Sequence, residues 1–544
     1  MTENSRDVAA LLEQGRASLG IELGSTRIKA VLVDADGVPL ASGGHAWENQ
    51  LVDDRWTYAL DDVWSGLQAC YADLVGDAEE RHGVRPTGYA GLGISAMMHG
   101  YLALDADGEL LVPFRTWRNT STGDAAAELS ELLGHNIPLR WSLAHLYQAV
   151  LDREEHVPRV DSVTTLAGYV HQRLTGRNVL GVGDASGMVP IDPATRTYDK
   201  AVVTAYDQRV AERHADHRPA GDLLRLLPEV LVAGQEAGRL TEEGAALLDP
   251  NGALAAGVPL CPPEGDAGTG MVATHAIAPR TGNVSVGTSV FAMVVLEEPL
   301  AQAHPEIDVV TTPVGDLVAM VHCNNGASEL GAWAGVFGEL VAALGHDDDA
   351  DAVFGALLGA ALDGDADGGG LLAYNYLSGE PVTGLDEGRP MVVRTPDSRL
   401  TLANFARTQV YSAFATLSLG MRTLAEEGVS LDGVVAHGGL FRTAGVAQRL
   451  LAAALGTPVS VGDGAGEGGA WGAAVLAAHL ADRLGTSSDS TDAPDLAGFL
   501  AGRVFAGAGV ETVDPDVDDL AGFESFLERF RAGLAVERAA VEAL

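Results

Sequence analysis

The chain has 544 residues, 47% of them apolar and 20% charged, enough for more than one compact core and in keeping with a soluble globular protein. Seventy-five acidic against 34 basic residues give a net charge of −41, a field that repels nucleic-acid phosphates and anionic membranes and argues against either as a partner. Cys70, Cys261 and Cys323 lie far apart with no CxxC spacing, which excludes a disulfide framework and a structural zinc site.

The polar opening MTENSRDVAALLEQGRAS has no apolar signal-peptide region, and no run approaches membrane-spanning length, so a cytoplasmic protein is expected. In LGIELGSTRIKAVLVD (19–34) two apolar runs flank Gly24-Ser25-Thr26, which predicts a hairpin. ALDDVWSGLQACYADLVGDAEE (59–80) predicts a helix, and GYAGLGISAMMHG (88–100) a buried strand running into a loop. YLALDADGELL (101–111) predicts a second hairpin turning at Asp107-Gly108. The alternation is that of an α/β protein. Residues 282–296, GNVSVGTSVFAMVVL, then repeat the opening device, with Gly287-Thr288-Ser289 between two apolar runs. One such turn is ordinary chemistry. Two in the same context predict two lobes built alike, divided near 276 after a helical stretch at 266–276. The expected organisation is 1–276, 277–484, and a linker and helical tail over 485–544. GTSSDSTDAPD (485–495) reads as a flexible connection, while Phe523, Phe526, Leu527, Phe530 and Leu534 recur at helical spacing.

Successive amides in a tight glycine-containing turn form a concave anion site, and serine and threonine add hydroxyl donors. Gly24-Ser25-Thr26 and Gly287-Thr288-Ser289 are therefore candidate phosphate cradles. Arg27 and Lys29 fall on one face of their strand, either able to aim a cation at a phosphate. Glu22 is placed to reach a magnesium ion through water, because magnesium keeps much of its hydration shell. Neither lysine of the chain, Lys29 or Lys200, follows a glycine, so a Walker A loop is absent. GAGEGG (464–469) matches a dinucleotide fingerprint, but no returning strand is expected to complete the βαβ unit.

In order along nearly the whole chain, these motifs resemble the FGGY carbohydrate kinases, pentulose kinases among them. The opening hairpin and GNVSVGTS (282–289) resemble the family's two phosphate motifs. SAMMHGYLALDADGELLVPFRTW (95–117) resembles its sugar-pocket segment. YVHQRLTG (169–176), VGDASGMVPID (182–192), PEGDAGTG (263–270), NYLSGE (375–380), VVAHGGLFRTAGVAQRLLAAALGTPV (434–459) and GEGGAWGAAVLAA (466–478) resemble further family blocks. The resemblance implies an α/β, two-lobed actin-like ATPase (ribonuclease H-like) fold with a duplicated core and an ATP/sugar cleft between lobes.

It also implies a reaction: Mg-ATP phosphorylates the terminal hydroxyl of a ketopentose, L-ribulose or D-xylulose. By the same resemblance Asp266 is the catalytic base, and Met98, His99 and Trp117 line the sugar site. Gly24, Ser25, Thr26, Lys29, Gly287, Thr288, Gly438, Gly439 and Leu440 bind nucleotide, and Glu22 serves the metal. The expected partners are sugar and ATP, with a homodimer left open. Glu22 stands where the family usually has Asp, and Met97 where it has Gln. Arg118-Asn119-Thr120-Ser121, Pro381-Val382-Thr383 and Leu440-Phe441 also depart from the pattern. The pocket departures tilt the expectation toward L-ribulose. The rivals are another sugar, a polyol or glycerol as acceptor, an actin- or Hsp70-like ATPase without a sugar, and a sugar sensor without turnover.

Overall fold

The structure, a computed structural model, describes residues 3–347, 349–443, 445–462, 468–485, 494–507 and 509–544. Most of the GAGEGG run and of the polar stretch at 485–495 lies outside the described residues. The chain forms two compact units, each discontinuous in sequence. The first comprises Met1–Ile277, Gln302–Val318 and Gly466–Gly507, and the second Ala278–Ala301, Ala319–Ala465 and Ala508–Leu544. Residues 302–318 and 466–507 thus group with the first unit, where the sequence reading had assigned 277–484 to one lobe and 485–544 to a tail.

The first unit is built on strands β1 (Ser18–Leu23), β2 (Arg27–Val33), β3 (Pro39–Ala46), β4 (Gly91–Ala96), β5 (Gly238–Arg239), β6 (Pro259–Leu260) and β7 (Glu264–Gly265). Their order is β5-β6-β4-β1-β2-β3, with β7 also paired to β4. β1 runs antiparallel to β2 and parallel to β4. Alternation gives β1 two different faces. Leu19, Ile21 and Leu23 join Val63, Leu67, Tyr71 and Leu74 of the helix Leu60–His82 in one core. The helix Gly468–Gly485 packs where side chains are missing. A Cβ at Gly20 would lie 2.1 Å from the Ala470 carbonyl oxygen, one at Gly93 2.3 Å from that of Ala473, and one at Gly91 2.6 Å from that of Ala477. Glycine there lets the helix backbone lie flush on the strands, which places residues 468–485 in the first unit.

The second unit carries β8 (Thr281–Val286), β9 (Val290–Val295), β10 (Leu317–Cys323), β11 (Gly433–Gly438), β12 (Val459–Gly462) and β13 (Val510–Val513), ordered β10-β9-β8-β11-β12-β13. β8 is antiparallel to β9 and parallel to β11. The local order β11-β8-β9-β10 repeats β4-β1-β2-β3, so the twice-used turn belongs to a twice-used sheet. The apolar stripe beyond 520 forms the helix Val517–Ala543, whose Phe523, Phe526, Leu527 and Phe530 are buried. Its Phe530 ring lies 4.6 Å from Tyr374 and its Phe523 ring 5.0 Å from Tyr411. A strand does return after the helix Gly468–Gly485: β13 pairs with β12, but antiparallel, so it completes no βαβ unit.

Candidate active site

The first turn joins β1 to β2, and its carbonyls are all held from one side. Gly24 accepts from the Trp47 indole N–H at 2.7 Å, Ser25 from the Tyr58 hydroxyl at 2.6 Å, and Thr26 from the Trp47 amide at 3.2 Å. Trp47 and Tyr58 are buried and stacked with ring centroids 4.2 Å apart. In a planar trans peptide a carbonyl and the following N–H point in opposite directions. Gripping these three carbonyls therefore turns the amides of Ser25, Thr26 and Arg27 the other way, as an anion cradle requires. Trp117, 39% exposed, donates its indole N–H to the Ser25 hydroxyl at 3.3 Å, so one expected sugar-site residue and one expected nucleotide residue touch. Arg27 lies against Gly44 of β3, while Lys29 pairs with Glu22 across the hairpin.

Glu22 is partly buried near the end of β1. Burial pushes its carboxyl up to about 7 and the charge of Asp266 adds to the rise, opposed by Lys29 and by the Ala470 amide. A Cβ at Gly469 would lie 2.5 Å from Glu22 Oε1 and 2.8 Å from the Thr269 hydroxyl, so glycine there leaves room beside the carboxylate. Thr269 in turn hydrogen-bonds Ser95 at 2.9 Å, and Ser95 is the β4 partner of Glu22.

Asp266 opens the helix Asp266–Ala273 and presents an exposed side chain. The Met98 and Ala267 amides both donate to its Oδ1 at 3.0 Å. The protein crowded around it raises its carboxyl above the ordinary value against the pull of those amides and of Arg140. Met98 and His99 are both 5% exposed. His99 takes a left-handed backbone with φ of 72°, and its Nδ1 lies 3.2 Å from the Gly187 carbonyl. Glycine is needed on both sides of this loop: a Cβ at Gly187 would come 2.7 Å from His99 Nδ1, and one at Gly265 2.8 Å from Met98 Cγ.

Behind Asp266 are two buried carboxylates that the sequence reading passed over. Glu264 accepts from the amides of Asp184, at 2.9 Å, and Gly183, at 3.3 Å, and Asp184 Oδ2 accepts from the Thr165 hydroxyl at 2.6 Å. Burial, with Asp184 alongside, holds Glu264 well above the carboxylate range. Burial lifts Asp184 to about 7, with the Thr165 hydroxyl opposing and Asp266 adding. Both residues sat inside blocks that resembled the family, but only burial distinguishes them from the chain's many surface acids. Among the described residues no group of three or more His, Cys, Asp or Glu side chains could hold a metal alone.

In the second unit Val286 pairs in register with Gly438, so the turn Gly287–Ser289 and the loop beginning Gly438-Gly439 leave the same end of adjacent strands. Gly438 has φ of 116°, and a Cβ on it would lie 2.0 Å from the Val286 carbonyl oxygen. The Gly287 carbonyl accepts from the Ala327 amide at 2.8 Å and the Thr288 carbonyl from the Gly326 amide at 2.7 Å, which turns the amides of Thr288 and Ser289 outward as in the first unit. Leu440 is 2% exposed, so its side chain is interior and any ligand contact falls to its backbone. Among the described residues no helix is long and apolar enough to cross a membrane.

The FGGY family of carbohydrate kinases matches the chain twice, its N-terminal domain over residues 17–272 and its C-terminal domain over 282–481. The xylulose kinase of Haemophilus influenzae is 22% identical over 436 residues, 77% of this chain and 82% of that protein. That of Escherichia coli (strain K12) is 24% identical over 261 residues, 43% of this chain and 51% of the relative, about half its length. The xylulose kinase structure from Rhodospirillum rubrum aligns with a TM-score of 0.75 at 21% identity, covering 96% of this chain and 99% of that one. A gluconate kinase structure from Lactobacillus acidophilus aligns at 0.74 and 19% identity, covering 95% and 97%. At such identities the structural likeness shows the fold, two units each built on a mixed sheet with the same local strand order. With both family domains matched in order, the chain belongs to the FGGY family of carbohydrate kinases, phosphotransferases with an alcohol group as acceptor.

Proposed function

We propose that this protein transfers the γ-phosphoryl group of ATP to the terminal hydroxyl of a ketopentose, L-ribulose or D-xylulose. The observation that carries the reading is the pair of carbonyl-gripped turns, one per unit, in a chain of this family. Phosphoryl transfer needs alignment and charge neutralisation more than covalent help. In the proposed step the sugar oxygen attacks the γ-phosphorus, the bond to the β–γ bridging oxygen breaks, ADP leaves, and the hydroxyl proton passes to Asp266. The two amides on Asp266 Oδ1 fix the carboxylate and leave Oδ2 to take that proton. Met98, His99 and Trp117 line the sugar side, and the left-handed backbone at His99 is strain of the kind kept at binding sites.

Gly24, Ser25, Thr26 and Lys29 in the first unit, and Gly287, Thr288, Gly438, Gly439 and Leu440 in the second, hold the nucleotide. Ser25 does so through its amide, since its hydroxyl bonds Trp117. Glu22 suits magnesium, a hard cation that takes oxygen ligands and keeps water and phosphate in its shell. Bound there it would neutralise phosphate charge. Three buried free cysteines agree with a reducing cytoplasm.

The test is ADP release from Mg-ATP without sugar and with L-ribulose, D-xylulose, D-ribulose, L-xylulose, ribitol and glycerol in turn. One pentulose should raise the rate by orders of magnitude. Release that ignores every acceptor would overturn the reading. Met97, in place of the family's usual glutamine, and the gluconate kinase neighbour support a second reading, another sugar, a polyol or a sugar acid as acceptor. Gluconate belongs in the same panel.

A further inference from the structure

The second turn is held by a short relay of peptides that ends in one buried amide. The Asn375 side chain donates through Nδ2 to two consecutive carbonyls, Asn325 at 3.1 Å and Gly326 at 2.8 Å. Each of those carbonyls shares a peptide with the next amide: Asn325 with the N–H of Gly326, and Gly326 with the N–H of Ala327. Those are the two amides that donate to the turn, Gly326 to the Thr288 carbonyl and Ala327 to the Gly287 carbonyl. Since every peptide in the series is planar and trans, the Asn375 amide sets the aim of 325–327, and 325–327 sets the aim of Thr288 N–H and Ser289 N–H.

Asn325 is itself clamped. Its Oδ1 accepts from the Leu377 amide at 2.9 Å and the Ser378 amide at 3.1 Å, and its Nδ2 donates to Glu380 Oε2 at 3.0 Å. Asn325, Asn375 and Glu380 are 5%, 3% and 0% exposed. Asn375 Oδ1 and Glu380 Oε1 have no hydrogen-bond partner among the described residues, so the network carries a desolvation penalty that an apolar interior would avoid.

We propose that Asn375 is a positioning residue for phosphate binding, holding the Gly287–Ser289 turn in its anion-accepting form through residues 325–327, with Asn325 and Glu380 anchoring that segment. This rests on the reading of the turn as a phosphate cradle given above.

The full-length protein is tested as wild type, Asn375→Ala, Asn375→Leu and Gly326→Ala. Readouts are Kd for ADP and for adenosine by calorimetry, KM for Mg-ATP and for the sugar, and Tm. Asn375→Ala should weaken ADP tenfold or more, leave adenosine and the sugar KM within twofold, and raise the ATP KM. Asn375→Leu keeps the bulk of the side chain, removes the Nδ2 donor, and should show the same ADP-selective loss. Gly326→Ala keeps the Asn375 side chain, but its Cβ would lie 2.5 Å from the Gly287 carbonyl oxygen and 2.8 Å from Ser289. It should reproduce the ADP-selective loss, which tests the turn itself, while Asn375→Leu decides the matter if Asn375→Ala does not fold. Equal losses of ADP and adenosine, or no loss in a folded variant, would overturn the proposal. A wild type that binds no ADP and phosphorylates no acceptor would instead overturn the functional reading on which it rests.

Discussion

Glu22→Gln should make the protein more stable and less active. The Glu22 carboxyl titrates at about 7 in the folded chain against an ordinary 4.5, chiefly because burial disfavours its charge and secondly because Asp266 is near. A raised folded-state value means that the folded chain holds a proton the unfolded chain has released. Stability is then fully present below 4.5 and falls as pH rises toward 7. At about 1.4 kcal/mol per pH unit, that interval amounts to roughly 3 kcal/mol by pH 8. Glutamine is neutral throughout, keeps the shape, and still offers an oxygen to the Ala470 amide. Urea unfolding without nucleotide or metal, followed between pH 5 and pH 8.5, should show the two proteins close at pH 5. The variant should gain steadily to about 3 kcal/mol at pH 8, in the transition that unfolds the first unit. Under Mg-ATP and sugar the same variant should lose turnover. Equal stability at pH 8, or an advantage as large at pH 5, would refute the idea that an unneutralised carboxylate is being held beside Asp266 for its ligand.

Asp266→Asn should cut sugar-dependent ADP release by about two to four orders of magnitude, the range for losing a general base, while the Kd for ADP stays within twofold. In the wild type, kcat/KM should fall as pH drops and Asp266 takes a proton, with the limb lying above the ordinary 3.8 because the residue is raised. Unchanged turnover in the variant would remove Asp266 from the chemistry. Tyr58→Phe deletes the 2.6 Å bond to the Ser25 carbonyl. At about 1 kcal/mol for such a bond, the ATP KM should rise about fivefold with the sugar KM unmoved, and equal shifts in both would deny the first turn its phosphate role. Gly438→Ala adds a methyl 2.0 Å from the Val286 carbonyl at a φ of 116°. It should destabilise the second unit by more than about 2 kcal/mol, and a thermal melt matching the parent would contradict the β8–β11 pairing described.

What the sequence displays is what its neighbours along the chain decide. The two hairpins are legible because strand alternation and Gly-Ser-Thr turn chemistry act over a few residues, and their repetition is visible for the same reason. The helix Val517–Ala543 is legible because Phe523, Phe526, Phe530 and Leu534 state its period. The helix Gly468–Gly485 is legible as a helix but not as part of the first unit. That assignment depends on Gly20, Gly91 and Gly93 presenting no side chains to a segment more than 370 residues away, and a glycine in a strand does not announce what will lie on it.

The site follows the same division. Asp266, Met98 and His99, the proposed base and sugar contacts, are named from motif order. The grip on each turn is not, because it is made by backbone carbonyls whose partners are remote: Trp47 and Tyr58 for one turn, Gly326 and Ala327 for the other. The two grips share no residue type, yet both turn successive amides the same way out of the turn. An aromatic pair does this in one unit and a buried asparagine relay in the other. A duplicated turn therefore keeps its peptide orientation while the residues enforcing it differ, and on the proposed phosphate role the serine and threonine visible in the sequence are the less demanding half of the device.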